Sequence, residues 1–154
     1  MNKYKIRLAE ENDLPEILEL IKDLAEFEKA GHKVTNTVEQ MKLEKDLFGC
    51  FIAVDENNII IGIALYFYAY YTWVGKSLYL EDLFVKPEYR NKGIGSALLN
   101  EIFKLAKTKN CKRLRWQVLK WNKDAIKLYQ KMGAVIDGEW YNCDMDYSKI
   151  KSFD

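Results

Sequence analysis

The residues with the most evident chemistry lie in YRNKGIGSALL, residues 89 to 99. Gly93 and Gly95 stand one residue apart, Arg90 and Lys92 sit beside them, and an apolar helical pattern follows. Glycines so spaced let backbone N–H groups turn toward one point, and a helix that starts there adds its positive end. The guest suited to such a turn is a phosphate. Two kinds of phosphate turn fail on spelling. A nucleotide-hydrolysing loop needs Lys and then Ser or Thr directly after its last glycine, but Ser96 and Ala97 follow Gly95. A dinucleotide fingerprint needs a third glycine where Leu98 stands. What remains is Arg, two variable residues, Gly, any residue, Gly.

Other chemistries find little support. His32 is the single histidine and falls in a predicted loop, with no link to Cys50, Cys111 or Cys143 that would build a thiol nucleophile. The same scatter gives no metal-ligand spacing, so no metal is expected. An odd number of widely spaced cysteines implies reduced thiols and a cytoplasmic setting. Lys and Arg number 24 against 23 Asp and Glu, which leaves no global field for nucleic acid or an anionic membrane. The opening MNKYKIRLAEENDL carries charges where a signal peptide would be apolar. Residues 57 to 75 are uncharged and approach the length of a membrane span. Tyr66, Tyr68, Tyr70 and Tyr71 would place hydroxyls in lipid, however, and the β-branched and aromatic content suits a strand.

A chain of 154 residues, about half of them apolar, can build one core without metals or disulfides. Residues 3 to 9 alternate as a half-buried strand. Asp13 offers an N-cap to a helix with one apolar stripe, Ile17, Leu18, Ile21, Leu24 and Ala25, that ends near Glu28. Thr37 and Gln40 resemble a capping box for a shorter helix to about Leu47. Strands at 50 to 55 and 59 to 71 are expected to form a hairpin around Asn57 and Asn58, and 77 to 85 a further strand closed by Pro87. The glycine turn then opens a helix from about Gly93 to Lys107. A fifth strand is expected over 111 to 119, a helix capped by Asn122 runs through Met132 to Gly133, and two short strands finish the chain. The passage from 77 to 119 implies a parallel pair with a right-handed crossover. No linker or repeat divides the sequence, so one α/β domain over residues 1–154 is expected.

Taken together, LYLEDLFVKPEYRNKGIGSALL and WNKDAIKLYQKMGA resemble the GCN5-related N-acetyltransferases (GNAT). IKDLAEFEK at 21 to 29 and TWVGKSLYLED at 72 to 82 extend the likeness toward the diamine (spermidine/spermine) and thialysine acetyltransferases. The resemblance implies the single-domain acyl-CoA N-acyltransferase fold, a mixed central sheet with splayed strands and flanking helices, and acetyl-CoA as cosubstrate. It places Leu83, Phe84 and Val85 against pantetheine, which lies in the splay as a pseudo-strand. It sets Asn91, Lys92, Gly93, Ile94, Gly95 and Ser96 around the diphosphate, with charge from Arg90, and adds Asn122 and Ala125 to the coenzyme site.

The resemblance also supplies the proton chemistry. An alkyl amine with a pKa near ~10 is neutral in about one molecule per thousand at pH 7, and only the neutral form attacks a thioester. Glu81 matches a family glutamate that takes the proton through a water, and Tyr129 matches the tyrosine that serves as general acid for the departing thiol. Regular pairing would send Asp82 to the opposite strand face from Glu81, unless a bulge intervenes. Glu28 matches an acid near the acceptor amine, and Phe27 and Trp73 offer it faces or apolar walls. Tyr71 stands where spermidine-type enzymes carry an aspartate, which leaves short diamines, thialysine-like amines or other primary amines open. Acetylation of a protein N-terminus or an antibiotic amine is one alternative, and a non-catalytic CoA-sensing module another. EWYNCDMDY at 139 to 147 has strand character, and the resemblance suggests it pairs across the two-fold axis of a homodimer.

Overall fold

In the computed structural model, which describes residues 4–153, alternating apolar segments assemble one five-stranded sheet. Its strands are β1 (Tyr4–Leu8), β2 (Gly49–Asp55), β3 (Ile60–Tyr71), β4 (Gly75–Val85) and β5 (Leu114–Arg115), in spatial order β1-β2-β3-β4-β5. The first four pair antiparallel, and β5 joins β4 in parallel after a helical crossover, as expected. Lys3, at the head of the expected first strand, lies outside the described residues.

The helices follow the apolar stripes. α1 (Leu14–Phe27) and α2 (Val38–Leu43) bury Ile17, Leu18, Leu20 and Met41 against Ile52, Ile63, Leu65 and Phe84 on one face of the sheet. α3 (Ile94–Thr108) buries Leu98, Leu99 and Ile102, and Leu98 meets Gly62 on the other face. α4 (Lys123–Lys131) and α5 (Tyr147–Lys151) follow β5. The chain divides between Gln117 and Val118 into two units, the first holding the whole sheet with α1 to α3 and the second α4 and α5. Among the described residues no helix is long and apolar enough to cross a membrane.

Four expectations are corrected. Asp13 does not cap α1 with its side chain; it pairs with Arg7 at 2.6 and 2.9 Å and accepts the Glu10 amide at 2.7 Å, closing a 3-10 turn ahead of the helix. Thr37 does cap α2 through Gln40 N at 3.1 Å, but the α-helix stops at Leu43 and a 3-10 turn continues to Leu47. The fifth strand is reduced to Leu114 and Arg115, which pair with Leu78 and Tyr79. A bulge in β4 just beyond that point bends the strand away from regular pairing. The two closing strands are not found among the described residues; the one element there is α5, capped by Asp146 Oδ1 on Lys149 N. A strand needs a neighbour for its amide ladder, and residues 134 to 146 have none within the described chain.

Candidate active site

The bulge creates the site's chemistry. Leu65 faces Asp82 and Tyr66 faces Leu80, so Glu81 is the extra residue, opposite nothing on β3. The expected separation of Glu81 and Asp82 onto opposite faces is thereby overturned: both line one cavity of about 260 Å³. Met41, Phe48 and Leu65 give it apolar walls, and Asn36 and Glu44 add polar groups from around α2.

Three carboxylates crowd this region, and no ion pair among the described residues neutralises them. Burial raises Asp82 to about 7, with the charges of Glu81 and Glu28 adding to the effect. Glu28, at the C-cap of α1, is raised by burial and then by Glu81. Glu81 keeps contact with solvent, yet enough protein surrounds its carboxyl to raise it too. None of the three joins an ion pair among the described residues. Acids held above their ordinary range and facing a cavity attract a cation and can receive its proton.

The same strand continues into an open edge. Pairing between β4 and β5 ends at Tyr79 and Arg115, so Leu80 to Val85 have no strand partner on that side among the described residues. Phe84 turns its ring into the core, which leaves its backbone for any ligand, while Leu83 and Val85 are half-buried.

Beyond Val85 the chain makes the glycine turn. Asn91 and Gly93 adopt left-handed conformations, φ 60° and 78°, and Gly93 becomes the N-cap of α3 with no side chain capping the helix. The N–H groups of Ile94, Gly95 and Ser96 therefore have no partner within the helix and point from its positive end. Ile94 is buried and anchors the turn, and Ser96 is exposed. Gly95 has no positive φ, and a Cβ there would meet nothing nearer than Val85 Cγ2 at 3.8 Å. The protein's own packing does not require glycine at 95, and the bare backbone there leaves room for a close approach from outside. These features fit the diphosphate and pantetheine of acetyl-CoA.

Arg90 and Phe27 are placed differently from expectation. Arg90 Nε donates to Val85 O at 2.9 Å, and its guanidinium lies 5.1 Å from the Phe27 ring centre and 5.4 Å from that of Phe84. Arg90 thus braces the turn against β4 and α1, and it covers the Phe27 face expected for an amine. Lys92 bends back to Glu88 O at 3.0 Å and over Tyr89. Trp73, at the β3–β4 hairpin, is 84% exposed and does not line the cavity.

In the second unit, Asn122 Oδ1 accepts from Ala125 N at 3.3 Å and caps α4. One helical turn after Ala125, Tyr129 is buried, and that burial raises its phenol. A phenol so raised keeps its proton at neutral pH and can donate it.

The sequence matches the Acetyltransferase (GNAT) family over residues 14–134. The chain belongs to the GNAT acetyltransferase family. It is 37% identical over 145 residues to thialysine N-epsilon-acetyltransferase of Mus musculus, covering 87% of this chain and 85% of that protein. The thialysine N-epsilon-acetyltransferase of Caenorhabditis elegans is 34% identical over 160 residues, covering 99% and 98%. In fold, the GNAT chain is similar to an aminoglycoside acetyltransferase from an uncultured soil metagenomic sample, solved in complex with sisomicin, at a TM-score of 0.78 and 22% identity over 94% of this chain and 98% of that one. This GNAT protein is an acetyl-CoA-dependent N-acetyltransferase.

Sequence reasoning missed Asn36, Glu44 and Phe48. They reach the cavity from the turns flanking α2, and no periodicity marks a loop residue that lines a pocket. The bulge signal was also absent, because a bulge depends on the register of two strands rather than on one.

Proposed function

We propose that this GNAT enzyme moves the acetyl group of acetyl-CoA directly to a primary amine of a small molecule: a diamine, polyamine or thialysine-like amine. The observation that carries this reading is the set of three unpaired carboxylates, Glu28, Glu81 and Asp82, on and beside the strand whose open edge leads into the amide-lined turn. The relatives' activity on thialysine supports the same class.

In this reading, Glu28, Glu81 and Asp82 draw in the ammonium. Glu81 takes its proton through a water, and the freed nitrogen bonds to the acetyl carbon as the carbon–sulfur bond breaks. Tyr129 gives its phenolic proton to the departing sulfur. Leu83 to Val85 offer their backbone edge to pantetheine, and residues 91 to 96 offer their amides to the diphosphate. Each proton transfer is worth about 10²- to 10⁴-fold, and orientation supplies much of the rest. A second reading gives the proton to Asp82, favoured by its position in the same cavity and its value of about 7. Residues 1–154 act as one catalytic domain, consistent with a family match that runs through the boundary at Gln117. The protein works in the cytoplasm as a homodimer joined through residues 139 to 147.

The test measures thiol release from acetyl-CoA with putrescine, spermidine, thialysine and lysine. Turnover with at least one is expected. Coenzyme binding without turnover of any amine defeats the proposal.

A further inference from the structure

The sheet face that bears the acidic cavity also bears a cationic patch that the reading above does not use. Phe67 pairs with Tyr79 and stacks on it with ring centres 5.0 Å apart, and Tyr79 pairs in turn with Arg115. Alternation puts Tyr71, four residues after Phe67, and Arg113, two before Arg115, on that same face. The geometry agrees: the guanidiniums of Arg113 and Arg115 lie 5.1 and 5.2 Å from the centre of the one Tyr71 ring. Leu65, opposite Asp82, is two residues before Phe67, so the acids share the face as well.

Two like charges held over one ring repel, and neither has an acidic partner among the described residues. Cation–π attraction at a half-buried ring is modest, whereas a carboxylate can be gripped by a guanidinium fork. Glu81 is two residues from Tyr79 along β4, about 7 Å, and Arg115 is one strand across, about 5 Å. We infer that Arg113 and Arg115 bind the carboxylate of the acceptor, which makes the preferred substrate an amino acid with a terminal amine rather than a polyamine. The inference rests on the proposed amine acetylation and adds its substrate class. Six bonds separate the terminal nitrogen of a 2,6-diamino acid from its carboxyl carbon, an extended span of about 7 Å. The stacked Phe67 and Tyr79 rings flank that spacer. A polyamine would bring a second ammonium to two guanidiniums.

The experiment compares lysine with 1,5-diaminopentane, and thialysine with bis(2-aminoethyl) sulfide, each pair differing by one carboxylate. The expected kcat/KM is roughly tenfold or more higher for the amino acid, carried by KM. Arg113→Gln with Arg115→Gln brings the ratio toward one, and Arg115→Lys restores part of it. Equal or better use of the diamines by the parent enzyme overturns the inference, and this arm needs no variant to fold. An unchanged ratio in the double variant overturns it too. If no amine is acetylated, the proposed activity itself fails; acetylation without a carboxylate preference sinks the present inference alone.

Discussion

Asp13 and Asp82 are the same residue type in opposite circumstances. Asp13 is held by both guanidinium nitrogens of Arg7 and by the Glu10 amide, and the Arg7 hydrogen bond holds its carboxyl below the usual range. Asp82 is half-buried beside two further acids and rises to about 7. The first is neutralised within its own stretch of chain and fastens a helix start to the edge strand. The second is left unsatisfied where a cavity opens. The contrast teaches that acids serving the fold come with their partners, while acids left without one beside a cavity are the candidates for meeting a substrate, as proposed above.

The sharpest way to break this contrast is Glu81→Gln, which removes one member of the unpaired group. Turnover should fall about 10²- to 10⁴-fold while calorimetry finds CoA binding close to the parent's. A near-normal rate would assign the proton to Asp82. Next in size is Gly95→Ala. Its new methyl meets ordinary contact within the protein, so the thermal midpoint should hold while the Kd for CoA rises roughly tenfold or more from the lost approach to the diphosphate. Preserved affinity would take the turn out of the coenzyme site.

The pH dependence sharpens the comparison from both sides. A raised aspartate favours the folded state while protonated; that contribution is full below its unfolded value of about 3.9 and is lost as pH rises through about 7. Asp82 therefore costs stability across that window, at up to about 1.4 kcal/mol per pH unit, less where Glu81 and Glu28 share the protons. Denaturant melts of Asp82→Asn should show a flatter profile and a gain at pH 8. Asp13 has the reverse sign: its contribution is present above the ordinary aspartate range and is lost as pH falls. The smallest effect is that of Asp13→Asn, about 1 kcal/mol at pH 7 for a partly exposed pair, with parental turnover. A larger loss from Asp82→Asn than from Asp13→Asn at high pH would reverse the contrast.

Much of the frame was legible because it is written in local patterns. The α1 stripe, the β2–β3 hairpin, the strand ending at Pro87 and the Gly93 turn each carry their own signal of periodicity or backbone demand. The site was less legible because it arises between elements. Glu81 and Asp82 share a cavity only because β4 carries one residue more than β3, and neither strand announces that alone. Arg90 reads as a free charge until Phe27, far away in sequence, proves to lie against it. The shortening of β5 and the absence of closing strands among the described residues have the same origin: strand character in a sequence says nothing of whether a neighbour is in place.

The unladdered stretch of β4 also bears on how the protein must be kept. Amides without partners along an apolar strand invite any extended chain, including that of another molecule, to add itself there. A tightly bound coenzyme would occupy that margin and favour the native state by about 2.7 kcal/mol at a hundredfold excess over its dissociation constant. Acetyl-CoA would then act as a preservative in storage as well as a donor in turnover.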